Sequence, residues 1–180
     1  MKKTYLLFAA FIFIQGCATT PLPAQQSEAG IKGSKLPPYP GNSELYQSAC
    51  IGSTKADSKN TEEKLCDFSI KVFKEKNAGS FILAATAATG NKLNGQPEWV
   101  VLDALALTKI KENSLIEIFT CRYKGVADDT IIALIPEHTG NTSSFIKAGD
   151  WAYRINLPSG QFVALEPDLV DCENTAVGVD

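Results

Sequence analysis

Five cysteines are the side chains best suited to chemistry in this 180-residue chain: Cys17, Cys50, Cys66, Cys121 and Cys172. A thiol can be acylated, can pair as a disulfide or can ligate a metal. Their spacing separates these uses. No two of them form a C-x-x-C pair, which argues against a zinc site, so no metal is expected. Cys17 stands apart, directly after a basic and then apolar opening, MKKTYLLFAAFIFIQG. The other four form an even set, as a disulfide framework requires. Three connectivities exist, and Cys50–Cys66 with Cys121–Cys172 is favoured because each pair lies within one half of the chain.

Lys2 and Lys3 precede an apolar run from Tyr5 to Ile14, with no acidic residue before Cys17. That run is too short to span a bilayer as a mature helix and fits the core of a secretory signal. The four residues that end it, Ile14, Gln15, Gly16 and Cys17, resemble the lipobox of bacterial lipoproteins. The resemblance covers about the first twenty residues and implies cleavage before Cys17 and lipidation of its thiol. Ala18 in place of an aspartate implies, by the same resemblance, sorting to the outer membrane rather than the inner one. Two or more acyl chains, palmitate among them, make a durable anchor where one binds only marginally. Cleavage would leave 164 residues, remove two lysines and take the formal charge from −3 to −5. An exported compartment also permits the disulfides.

Other residues offer weaker chemistry. His138, the single histidine, lies in the polar stretch "PEHTGNTSS" and could serve as an acid or base near neutral pH. No serine sits in a G-x-S-x-G elbow, so no catalytic nucleophile is nominated. Asp128 and Asp129 read as a solvated turn. The tail from Glu166 to Asp180 holds five acidic residues and no basic one, and reads as a solvated face. Lys71, Lys74 and Lys76 form a small basic group, but the net acidic chain argues against nucleic-acid binding. Trp99, Trp151, Tyr153 and Phe162 are the candidates for a recognition surface, with core packing as the plainer account.

The elements that must position these residues come from the apolar patterning. Residues 1–16 form the signal, and 17–42, with five prolines and no apolar period, read as the lipidated cysteine and a tether. A single domain is expected over 43–180. Its helix begins near Asn60, with Glu63 completing a capping-box pair and Leu65, Phe68, Val72 and Phe73 supplying an apolar face. Asn77 and Gly79 provide the stop. Strand candidates follow at 80–90, 98–110, 114–123, 129–137, 151–157 and 161–167. Lys111-Glu112-Asn113 and Pro158-Ser159-Gly160 each read as a hairpin turn. The expected fold is therefore α+β, one amphipathic helix packed on a mostly antiparallel sheet.

This reading points to a membrane-anchored, periplasm-facing binding module for a protein or an envelope component, with no cofactor and no catalysis of its own. An envelope-acting hydrolase using His138 and a structural assembly factor are the alternatives.

Overall fold

The computed structural model describes residues 30–51, 66–76, 79–107, 110–137 and 143–174. Among them the chain is nearly all β, with thirteen strands in three antiparallel sheets and one short 3-10 turn at Pro167–Leu169. No helix among the described residues is long and apolar enough to cross a membrane. The first sheet contains β1 (Lys35–Leu36), β2 (Ser43–Ile51), β3 (Phe68–Glu75), β4 (Phe81–Leu93) and β5 (Gln96–Leu107), in the order β1-β5-β4-β3-β2. The middle sheet is built from β6 (Ser114–Ile118), β9 (Ile131–Pro136), β11 (Ala152–Asn156) and β12 (Gln161–Leu165), ordered β12-β11-β9-β6. The third holds β7 (Cys121–Tyr123), β8 (Val126–Ala127), β10 (Phe145–Lys147) and β13 (Val170–Glu173), ordered β10-β13-β7-β8.

Packing stacks these sheets. Ile70 and Val72 of β3, with Leu83 and Leu105, meet Ile116, Ile132, Leu134 and Ile155 of the middle sheet. The alternate residues of β9, Ile131, Ala133 and Ile135, turn to the opposite side and pack with Ile146, Val170 and the two cysteines of the third sheet. A third cluster lies on the outer side of the first sheet, where Leu36, Phe73, Ile82, Ala84, Val101 and Ala104 are buried beside Ile31 and Trp99. Strands covered on both faces carry near-continuous apolar runs instead of alternating ones. This is the origin of "FSIKVF" and "IIALI".

The expected amphipathic helix is not what the chain forms, and the α+β assignment is corrected to all-β. Phe68–Glu75 is strand β3, paired with β2 from Phe68↔Ile51 to Glu75↔Ser43 and with β4 from Phe68↔Ala87 to Lys74↔Phe81. Its apolar residues mimic a helical period because Ile70 and Val72 enter the central core while Phe73 enters the outer cluster. Five consecutive buried positions, Ser69 to Phe73, are natural in a strand that is covered twice. Asn60, Glu63 and Leu65, which suggested the cap and first turn, lie outside the described residues.

Two further expectations change. Lys111-Glu112-Asn113 does not close a hairpin: β5 pairs with β4 and β1, whereas β6 pairs with β9. The stretch 114–123 is also two strands in different sheets, broken at Phe119, whose φ of 80° is outside strand geometry. The turn at Pro158-Ser159-Gly160 does join a hairpin, β11 to β12. Within residues 30–42, β1 pairs with β5 and Leu36 is fully buried.

Candidate functional site

Sequence position alone does not reveal which candidate residues meet. The aromatic set splits into two. Tyr153 and Phe162 are buried in the central core, only 7% and 8% exposed. Trp151 packs against that core, with its ring 5.6 Å from the ring of Tyr153, and Tyr153 in turn lies 6.3 Å from Phe162. Tyr153 and Phe162 therefore serve packing, and Trp151 is half-buried against them. Trp99 lies on the other side of the first sheet, in the outer cluster.

Cys50 is bonded to Cys66 and Cys121 to Cys172, with Cα separations of 5.5 and 3.8 Å. The register explains the second pair, since Cys121 and Cys172 sit directly opposite each other on β7 and β13. Both are buried in the cluster between the middle and third sheets. Cys17 and His138 lie outside the described residues.

Asp128 belongs to a turn held by its neighbours. Its Oδ1 accepts hydrogen bonds from the Thr130 backbone N–H at 3.0 Å and from the Thr130 hydroxyl at 2.5 Å, and Oδ2 meets Arg154 Nη2 at 2.7 Å. Burial pushes its carboxyl up, but Thr130 and Arg154 outweigh that and hold it below the ordinary range. In the acidic C-terminal region, Asp171 accepts Arg122 Nε and Nη2 at 2.8 and 2.9 Å. Arg122 holds the Asp171 carboxyl below its ordinary range. That region is thus partly a strand of the third sheet, not wholly a solvated tail. Among the described residues no group of three or more His, Cys, Asp or Glu side chains could hold a metal ion.

The unusual site is on the outer side of the first sheet, around Lys71. In place of a solvent-facing helix position, Lys71 occupies the middle of β3 and is 7% exposed. Strand alternation puts it on one face with Ser69 and Phe73. Register places Ser48 of β2 opposite it on one side and Ala84 of β4 on the other. Its Nζ stands 4.3 Å from the centroid of the Trp99 ring of β5. Trp99 is itself opposite another small residue, Ala88.

Among the described residues the ammonium has one hydrogen-bond acceptor, Ser48 Oγ, at 3.4 Å, and Ser48 Oγ lies 3.3 Å from Ser69 Oγ. Among the described residues no carboxylate forms an ion pair with it. Glu98, on the neighbouring strand segment, is engaged by Lys35, Thr89 and Asn91. Burial, uncompensated by an acidic neighbour, lowers the Lys71 pKa from its ordinary value. Contact with the Trp99 face offsets part of the desolvation. Ser48 is exposed, so solvent reaches the hydroxyl that touches the ammonium. Treating 68–75 as a helix hid this lysine. The alternation of Ser69, Lys71 and Phe73 against Phe68, Ile70 and Val72 was the signal that could have found it.

Beside this site β2 forms one edge of the first sheet. A bulge between Leu45 and Gln47 gives Tyr46 an extra position in the ladder. Tyr46 is 47% exposed, and Tyr39 and Leu45 are also exposed. The Tyr46 ring rests 5.3 Å from Phe81 on the central-core face of the sheet, and the Tyr39 ring 5.4 Å from Phe73 on the outer face. Lys74 Nζ lies 6.0 Å from the Tyr46 ring.

Comparison of the chain with protein-family models, with curated proteins and with solved structures gives no match.

Proposed function

We propose that this chain is a lipid-anchored, periplasm-facing lipoprotein of the outer membrane that binds a protein or an envelope component and has no catalysis of its own. The anchor rests on the order of Lys2 and Lys3, the apolar run and Gly16-Cys17. Two disulfides suit an exported compartment. The observation that carries the binding role is Tyr46 on the edge strand β2, exposed yet braced by Phe81, which lowers the entropy lost when a partner orders it. Aromatic side chains of this kind supply much of the energy at recognition surfaces. The surface assignment moves from Trp151 and Tyr153 to this edge, because those two side chains pack the core.

A photo-crosslinking amino acid at position 46, compared with one at the well-exposed Val126 of β8, tests this reading in intact cells. The expected result is a discrete adduct from position 46 in the outer-membrane fraction and none from position 126. Equal labelling from both positions, or recovery of the unanchored chain in the periplasmic fraction, would contradict it.

A further inference from the structure

We propose that Lys71, with the Ser48 hydroxyl beside it, forms a binding site for a phosphate group on the outer side of the first sheet. This names a ligand class for the binding role and rests on that reading, although it concerns a different group of side chains from the Tyr46 edge. Lys71 is buried in the middle of β3, and among the described residues it meets no carboxylate and has one acceptor, the Ser48 hydroxyl at 3.4 Å. An ammonium can donate three hydrogen bonds, so two N–H groups remain for a ligand.

Taking an ammonium out of water is costly unless it is paired. A buried lysine that served packing alone would be better replaced by Leu or Met, and one that served an ion pair would have an acidic neighbour. The Trp99 face stabilises the cation without using its N–H donors, because the attraction comes from the ring quadrupole. The Ser69 hydroxyl donates to the Ile70 carbonyl at 3.2 Å, so of the two hydroxyls it is Ser48, which is exposed, that can turn its O–H to a ligand beside the ammonium. Lysine binds phosphate as a point charge. A carboxylate offers fewer acceptor directions than a phosphate and is the weaker match to this donor set.

The site is tested on the mature lipidated chain in neutral detergent micelles by amide and indole NMR, with inorganic phosphate as the first probe. Saturable shifts are expected at residues 47–49 and 70–72 and at the Trp99 indole N–H. Lys71→Met should weaken the response at least tenfold, and Ser48→Ala, at an exposed position, several-fold. Acetate should shift the same signals less. A second titration compares glycerol 3-phosphate with phosphatidylglycerol doped into the micelles, and whichever saturates at lower concentration shows whether the phosphate belongs to a soluble ester or a lipid headgroup. No saturable shift with any phosphate probe would overturn the site. So would an undiminished response in Ser48→Ala together with a folded Lys71→Met. Neither result touches the position-46 adduct, which tests the binding role separately.

Discussion

Leu102 occupies the space into which a side chain at residue 160 would project. Gly160 has a φ of +69°, and a Cβ built there would lie 2.6 Å from Leu102 Cβ and also collide with Leu102 Cδ1. Leu102 stands at an irregularity of β5, between Val101, which pairs with Thr86, and Asp103, which pairs with Ala85. One residue on, Asp103 Oδ2 accepts the Phe162 backbone N–H at 3.0 Å. The β11–β12 turn of the middle sheet is thereby seated on the first sheet by one close steric fit and one hydrogen bond.

Gly160→Ala should therefore destabilise the fold by about 1–3 kcal/mol, combining an unfavourable φ with overpacking. Thermal unfolding provides the measurement. Adding Leu102→Ala removes the contact with Cδ1 but leaves Leu102 Cβ 2.6 Å from the new methyl, so it should return only a small part of the loss. An unchanged midpoint in Gly160→Ala would show that the turn does not bear on β5.

The two disulfides should differ in their effect. Cys121–Cys172 closes a separation of 51 residues and Cys50–Cys66 one of 16. In the chain-entropy model their removal costs about 4 and about 3 kcal/mol. Cys121 and Cys172 also lie inside the second core, so Cys121→Ala/Cys172→Ala loses packing as well. Urea unfolding of the two double variants should show the lower midpoint for the 121/172 pair. The reverse order would contradict this ranking.

Lys71 predicts a particular pH dependence. Its folded-state pKa is lowered, so between that value and the unfolded value of about 10.4 the unfolded chain binds more protons. Stability then rises with pH across that window, as the penalty for the buried charge is relieved. Lys71→Met carries no such charge. Its advantage over the wild type should be largest near neutral pH and shrink as the pH climbs toward 10. Urea midpoints of both proteins at several pH values decide this, and a gap that widens with pH would contradict it.

The sequence was most legible where one structural signal acted alone. Pro158-Ser159-Gly160 between two short apolar segments specified its hairpin, because turn chemistry is local. Phe68 to Phe73 misled because two separate cores claim adjacent residues of one strand, which erases the alternation on which strand recognition depends. Residues 114–123 read as one strand because nothing in their composition marks Phe119 as the point where the chain leaves one sheet for another. Tyr153 and Phe162 looked available for recognition only while the opposing sheet was unknown. Lys71 followed from the same error, since its burial depends on Ser48 and Trp99, partners 23 and 28 positions away on other strands.

The anchor is the central claim, and the mass of the mature amino-terminal peptide tests it most directly. Tandem mass spectrometry of protein purified from membranes should find a chain that begins at Cys17, with a diacylglyceryl group on its sulfur and residues 1–16 gone. Cys17→Ser should abolish that modification and leave either an uncleaved precursor or protein released from the membrane. A mature chain beginning elsewhere, or one beginning at Cys17 with an unmodified thiol, would contradict the account.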